Sequence, residues 1–151
     1  MSNQDLSENN IIELQDKVLS LLKRLPNHQI PNFSASRGSL LFNGDPLDEI
    51  WFEDGKWYWK ETERGQLRFE TSYSDEVELI TRIIEMSISE MAWRFELNNR
   101  VENQDSRRIA FAYHDMLFTI LGEPYISHAH LFYQNNRYNG KFSDLHDELY
   151  K

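Results

Sequence analysis

The chain has 151 residues, with 25 acidic against 16 basic side chains and a formal net charge of −9. Its acidity argues against direct binding of nucleic acid, whose phosphates it would repel, and favours a basic partner. The chain contains no cysteine, which excludes disulfides, thiolate zinc sites and a cysteine nucleophile.

The first predicted element is a helix from about Ser7 to Leu25. Apolar residues recur there at steps of three and four, and Pro26 ends the pattern. The polar start, MSNQDLSENN, resembles no signal peptide, and no apolar run is long enough to span a bilayer. We therefore expect a cytoplasmic protein that does not enter a membrane.

Consecutive strands are predicted after a loop of composition NHQIPNFSASRGS (27–39). The runs are SLLF (39–42), EIWFE (49–53), KWYWK (56–60) and QLRFETSY (66–73). Asp54-Gly55 between two aromatic runs is typical of a tight hairpin, because a type I′ turn needs positive φ at both central residues. The pattern predicts an antiparallel β-meander of three or four strands.

The remainder of the chain is predicted to be helical. One helix should begin at the N-cap Ser74 and reach about Asn98, with a buried stripe of Val77, Ile80, Ile84, Ile88, Met91 and Phe95. A second helix should run from Asp105 to Leu121, ahead of Gly122. A third covers ISHAHLFYQNN (126–136), and the tail 137–151 suggests a turn and a short terminal helix. The second helix has a predicted buried stripe of Ile109, Ala112, Tyr113, Met116, Leu117 and Ile120.

This order of elements predicts an α+β fold. An N-terminal helix precedes the meander, and the helical C-terminal half is expected to pack on one face of the sheet. The length suits a single domain over residues 1–151.

The hairpin turn also predicts which residues share a sheet face. Opposed residues lie on one face and neighbours alternate, so Ile50, Phe52, Trp57 and Trp59 should face the core. The sequence leaves open whether another segment covers the second face, and a one-residue shift of the turn would exchange the two faces. That second face carries Glu49, Trp51, Glu53, Lys56, Tyr58 and Lys60, to which the next strand would add Arg68 and Glu70.

Few residue patterns indicate catalysis, and none is a phosphate-binding or nucleophile-elbow motif. Glu61 and Glu63 beside Arg64 could act as general acid and base, but they are typical of the end of a hairpin. His114 has no nucleophile near it in sequence. His128 and His130 would point apart on a helix and could not share a metal there, whereas on a strand they could; the local pattern favours a helix. The sequence thus predicts no catalytic residue, no metal and no cofactor.

Three segments carry a resemblance to a known family: KWYWKETERG (56–65), LGEPYISHAH (121–130) and YNGKF (138–142). With them the chain resembles immunity-protein family 63 of the bacterial polymorphic and contact-dependent toxin systems. The resemblance implies a protein without catalysis that binds a cognate toxin and blocks its active site or an essential partner surface. Many such toxins are nucleases, whose active faces are basic, and the acidic composition suits such a partner.

Two acidic surfaces are candidates for toxin binding. The hairpin region is favoured, because it combines acids with aromatic residues of the type that anchor interfaces. The polar stripe of the helix over 74–98 is the second candidate. The alternative functions are a non-enzymatic adaptor or regulatory module and, third, a small enzyme that uses Glu61, Glu63 or His114. The predicted toxin-binding residues are Asp45, Asp48, Glu49, Trp51, Glu53, Asp54, Tyr58 and Glu61.

Overall fold

The computed structural model describes residues 3–36, 38–42, 44 and 46–132. The predicted terminal helix in 137–151 and the motif YNGKF lie outside these residues. The elements in the described chain confirm the α+β prediction. None of its helices has both the length and the apolar character needed to cross a bilayer. The elements are α1 Asn3–Leu22, β1 Phe33–Ser36, β2 Ser39–Phe42, β3 Leu47–Glu53, β4 Lys56–Glu63, β5 Gln66–Tyr73, α2 Glu76–Asn98, α3 Ser106–Leu121 and α4 Tyr125–Phe132.

The chain divides into two compact units. Among the described residues, the first unit comprises 3–20 and 30–80, and the second comprises 21–29 and 81–132. Each unit is described separately below. The organisation of residues 1–151 as one domain stays a prediction.

The first unit is built on an antiparallel sheet with the strand order β1-β2-β3-β4-β5. The predicted meander is confirmed, with β1 as an additional strand in the segment predicted as a loop. Its sequence, FSAS, has only one large apolar residue, so sequence periodicity could not reveal it. Backbone pairing with β2 holds the strand. The Phe33 ring packs edge-on against Phe42, with 5.6 Å between ring centroids.

A two-residue turn joins β3 and β4 as predicted. Asp54 has φ of 52° and Gly55 has φ of 77°, so both central residues adopt the left-handed conformation. The register runs from Glu53 opposite Lys56 to Leu47 opposite Thr62, which confirms the predicted pairing. Arg64 and Gly65, with φ of 52° and 76°, form the next turn in the same way.

The two faces of the sheet differ in burial. We name the first the core face, because most of its large residues in the three central strands are buried: Leu40, Phe42, Ile50, Trp57 and Trp59. Phe52, which was also predicted to face the core, lies on this face opposite Trp57 but is only half-buried. We name the second the open face. Its residues in β3, β4 and β5 include Glu49, Trp51, Glu53, Lys56, Tyr58, Lys60, Glu70 and Ser72.

A bulge in the pairing of β4 with β5 changes the position of one predicted open-face residue. The register shifts between Glu61 and Thr62, so Arg68 has no directly opposed partner. Its guanidinium lies 3.1 Å from Glu63 and 3.6 Å from Glu61 instead. The prediction that Arg68 joins the open face is therefore wrong, because simple alternation does not survive a bulge. Glu70 does join it, opposite Lys60.

The helical residues of the first unit are residues 3–20 of α1 and residues 76–80 of α2. Ile11, Leu14 and Val18 are buried, as their spacing predicts. The N-cap of α2 is Asp75 rather than Ser74, because the Asp75 carboxylate accepts a hydrogen bond of 2.9 Å from the Val77 N–H.

In the second unit, α2 keeps its predicted apolar stripe over Ile84, Ile88 and Met91, all buried. The stripe ends before Phe95, which is 37% exposed. The Phe95 ring instead stacks on Tyr113 of α3, with 4.0 Å between centroids and an interplanar angle of 8°.

The buried face of α3 differs from the predicted stripe. Among the predicted residues only Leu117 is buried, and Ile120 is 39% exposed. The prediction was wrong because α3 has apolar residues around most of its circumference, so spacing alone does not identify the buried face. The face that is buried includes two ionisable side chains. The buried residues are Ala110, Phe111, His114, Asp115, Leu117, Phe118 and Leu121.

The two buried ionisable residues of α3, His114 and Asp115, each lie beside an ionisable residue of the opposite acid–base type in the second unit. The Asp115 carboxylate lies 2.5 Å from Nε2 of His130 in α4. His114 Nε2 lies 3.8 Å from a carboxylate oxygen of Glu85, which is itself 5% exposed. Buried polar groups are tolerated when they are paired in this way. The hydrogen bond that His130 donates to the Asp115 carboxylate is the main reason that the pKa of His130 is raised above its usual 6.5.

The Asp115–His130 pair predicts a pH-dependent stability. A histidine whose pKa is raised on folding stabilises the fold at low pH, and this contribution is lost as the pH rises through the raised pKa. We expect the free energy of unfolding, measured with urea, to fall as the pH rises above 6.5. Asp115→Asn should flatten this part of the profile. The matched control is His128→Gln in the same helix, and an identical flattening in that variant would contradict the assignment to His130.

Candidate partner-binding surface

The open face has a stacked aromatic pair at its centre. Trp51 of β3 and Tyr58 of β4 are directly opposed in the register. Their ring centroids are 5.4 Å apart, and the ring planes differ by only 13°. Both side chains are half-buried. The pair therefore presents a flat aromatic surface that is already ordered before any partner arrives.

Charged side chains on both sides hold the Trp51 ring in place. The Lys60 ammonium lies 5.5 Å from the Trp51 ring centroid, within reach of a cation–π interaction. The same ammonium lies 3.6 Å from the Glu49 carboxylate. The Trp51 indole N–H donates a hydrogen bond of 3.3 Å to Glu53. Because each neighbour restrains the ring, the aromatic pair loses little conformational freedom on binding.

The open face extends over the adjacent strands. In β2, Ser39 lies opposite Trp51 and Leu41 lies opposite Glu49. In β5, Ser72 lies opposite Tyr58. The sequence prediction omitted the two β2 residues, although the alternation of SLLF would have placed them once its register with β3 was known.

The structure answers the question of coverage that the sequence left open. None of the described residues on the open face is buried. Trp51 and Tyr58 thus remain partly exposed, whereas Phe42, Trp57 and Trp59 on the core face are buried. The charges on the open face are mixed rather than uniformly acidic. In β3, β4 and β5 they are Glu49, Glu53 and Glu70 against Lys56 and Lys60.

Four of the predicted toxin-binding residues come together on this face: Glu49, Trp51, Glu53 and Tyr58. Asp54 is exposed at the hairpin turn, at one end of the face. Asp45 lies outside the described residues. The remaining two, Asp48 and Glu61, belong to the core face, since each is an even number of residues from a core-facing neighbour in its strand.

Asp48 is buried inside the first unit and supports its core face. It is only 1% exposed. Its carboxylate accepts a hydrogen bond of 2.9 Å from the buried indole N–H of Trp59. A partner could not touch this side chain without opening the core face, so Asp48 is not part of the accessible surface.

Glu61 lies opposite Asp48 in the register, and its side chain is 15% exposed. Burial raises the pKa of Glu61, and the hydrogen bond with Asp48 and the negative charge of Asp48 raise it further. The Arg68 guanidinium acts in the opposite direction and favours the ionised form of Glu61. The two carboxyl groups and Arg68 thus form a local cluster beside the bulge.

The other residues considered for catalysis are engaged in structural contacts. Glu63 shares Arg68 with Glu61. His114 is 4% exposed and faces Glu85. A cavity of about 270 Å³ in the second unit does not include any of them. It is lined by Asn27, Gln29, Met91, Arg94, Phe95, Asn98 and Tyr113.

The second acidic surface, on α2, is less acidic than its sequence suggests. Glu85 and Glu96 are buried, at 5% and 0% exposure. Glu96 forms two hydrogen bonds to Arg100, of 2.9 and 3.0 Å. Both carboxylates are consequently withheld from a partner.

A comparison with protein families identifies the chain. The profile of the family Immunity protein 63 matches residues 53–134, which is more than half of the chain. The chain belongs to the immunity protein 63 family. The match begins at the β3–β4 turn and includes β4, β5, α2, α3 and α4. Comparison with curated proteins and with solved structures gives no match.

Membership agrees with the resemblance found in the sequence, and it supports an immunity function. Within the open face, Tyr58 and Lys60 lie inside the matched segment, and Glu49 and Trp51 precede it.

The Asp48–Trp59 hydrogen bond predicts a difference between two substitutions. Asp48→Ala leaves the buried indole N–H without this acceptor and should lower the free energy of unfolding by about 1–3 kcal/mol. Asp48→Asn keeps an oxygen acceptor and removes the charge that opposes ionisation of Glu61, so its effect should be much smaller. Chemical denaturation monitored by tryptophan fluorescence measures both. Equal losses in the two variants would show that the hydrogen bond is not the stabilising contact.

Proposed function

We propose that this immunity protein binds a cognate bacterial toxin and neutralises it by non-covalent, stoichiometric inhibition through the open face. The observation that carries the proposal is the accessible stack of Trp51 and Tyr58 within a frame of charged side chains. Aromatic residues that are restrained before binding are the usual anchors of high-affinity protein interfaces.

A basic toxin, such as a nuclease domain, is the partner that the electrostatics support. The net charge of −9 attracts a basic protein at long range and accelerates encounter. At short range, Glu49, Glu53 and Glu70 can pair with basic side chains, while Lys56 and Lys60 restrict the arrangement of charges that fits. Long-range attraction thus accelerates association with the toxin, and the mixed local charges discriminate between possible partners.

Inhibition by occupancy requires no catalytic residue in the immunity protein, and we propose that it is not an enzyme. The burial of His114 and the shared contacts of Glu61 and Glu63 with Arg68 support this. We also propose that the protein acts in the cytoplasm, where a toxin that has entered would meet it.

A growth assay in a sensitive bacterium tests the function. The C-terminal domain of the protein encoded immediately upstream of this gene is expressed, as the candidate toxin, with and without the immunity protein. We expect growth arrest that the immunity protein relieves, together with co-purification of the two chains in equal amounts. A toxin that still arrests growth in the presence of the folded protein would contradict neutralisation. Binding without any toxicity of the neighbouring domain would favour the adaptor alternative.

Substitutions on the open face predict where the toxin binds. Trp51→Ala should raise the dissociation constant by about 30-fold or more, as expected for loss of an interface anchor. Glu49→Lys and Glu53→Lys should each slow association and weaken binding with a basic toxin. Titration calorimetry against the neutralised toxin measures the affinities, and thermal melts establish that the variants are folded.

Two matched controls lie on α2. Trp93→Ala removes the same side chain at a site that is 37% exposed, and Glu90→Lys reverses a charge whose side chain is 66% exposed. Both should retain the affinity of the unaltered protein. Full affinity in all three open-face variants would reject this surface while leaving the immunity function intact.

A further inference from the structure

The last strand of the sheet, β5, is an exposed edge. Its only strand partner among the described residues is β4. Every residue from Gln66 to Ser72 is exposed, and Leu67 and Phe69 are 59% and 42% exposed. Edge strands are usually shielded by prolines, charged side chains, bulges or a very short length. In β5 the bulge and Arg68 interrupt only residues 66–68, and the strand of eight residues contains neither proline nor lysine, so the backbone of its second half is suited to pair with another strand.

The regular part of β5 runs from Phe69 to Tyr73. Each of these residues directly opposes one residue of β4, from Glu61 to Trp57. Residues 66–68 lie beyond the bulge, and the guanidinium of Arg68 is held by Glu61 and Glu63. An added strand would therefore form its ladder along the five residues from Phe69 to Tyr73, where Glu70 is the single charge.

Symmetry restricts how this strand can pair with itself. When two copies form a continuous antiparallel sheet, opposed residues share a face, so the two-fold axis passes through a residue. An axis at Glu70 would place two carboxylates directly opposite each other, which destabilises a sheet. An axis at Ser72 would leave Phe69 and Glu70 opposite residues outside the strand. An axis at Thr71 pairs all five residues and opposes no like charges.

We propose that β5 is a self-association edge, through which two copies of the chain pair antiparallel about a two-fold axis at Thr71. Thr71 then faces Thr71 of the second copy, and Glu70 faces Ser72. Phe69 faces Tyr73 of the second copy on the core-face side, which covers the exposed Phe69 ring. Threonine pairs and aromatic pairs are favourable cross-strand contacts. The two five-stranded sheets become one sheet of ten strands.

The charge of the chain sets the salt dependence of this association. Each copy carries −9, so two copies repel at long range, and added salt should strengthen the dimer by screening that repulsion. A complex with a basic partner should respond in the opposite direction. The dimer uses β5 and leaves Trp51 and Tyr58 accessible, so it does not depend on the proposed toxin binding.

Two neighbouring substitutions give opposite predictions. Thr71→Lys places two ammonium groups opposite each other across the axis and should weaken dimerisation by about tenfold. Ser72→Lys places each new ammonium opposite Glu70 of the second copy and should strengthen dimerisation by up to about tenfold. Both variants introduce the same side chain into the same strand and change the net charge equally, so the difference between them reports the register.

Sedimentation equilibrium of the full chain, over a series of protein and salt concentrations, measures the dissociation constant. Ser34→Lys on β1, at the other edge of the sheet, is the control and should match the unaltered protein. Circular dichroism checks that each variant is folded, and the tightening expected for Ser72→Lys cannot arise from unfolding. A chain that stays monomeric under all conditions would overturn the proposal. Equal effects of the two β5 variants, or disruption by Ser34→Lys, would do so as well.

Discussion

The two-residue turn at Asp54 and Gly55 is the constraint on which the rest of the first unit depends. Positive φ at both positions lets β3 and β4 pair with no intervening loop. Because side chains alternate along a strand, the turn decides the face of every residue in both strands. Moving the turn by one residue would bury Trp51 and Tyr58 and expose Trp57 and Trp59. The separation between a buried core face and an accessible open face therefore follows from one local conformation.

The crowding of three tryptophans into one hairpin is explained by this division. Trp57 and Trp59 are buried, and the indole N–H of Trp59 donates a hydrogen bond to the carboxylate of Asp48, which is also buried. Trp51 is on the open face, where its indole N–H donates a hydrogen bond to Glu53 and the Lys60 ammonium lies within cation–π distance of its ring. The charged residues of the hairpin thus have two roles. Asp48 satisfies a buried donor, and the open-face charges restrain a ring that remains accessible.

The first unit has features suited to the tight recognition of one partner that we propose for this immunity protein. A sheet holds its side chains on a rigid backbone, so the aromatic stack is ordered before binding. The family match begins at the hairpin turn, and Glu49 and Trp51 precede it. The second unit buries Asp115 and His114, which are paired with His130 and Glu85 respectively. Such a pair contributes little net stability when complete, but the loss of one member is costly because it leaves a buried charge without its partner.

Local sequence signals were sufficient for a large part of this protein. Asp54-Gly55 and the alternation around it predicted the hairpin register, and helical spacing predicted the buried residues of α1 and the centre of α2. These features depend on neighbours within a few residues, so the sequence alone determined them. The family could also be recognised from short segments, and the profile match agrees with that recognition.

Other features depended on contacts between residues distant in sequence, and only the tertiary structure decided them. FSAS became a strand because β2 offered it a backbone edge. The bulge beside Glu61 redirected Arg68 away from the open face. His114 and Asp115 could enter the buried side of α3 because Glu85 and His130 come from other helices. The hairpin sequence alone could not decide whether Trp51 and Tyr58 are accessible. Their burial depends on whether another part of the chain covers the open face, and the periodicity of one segment carries no information about such a contact.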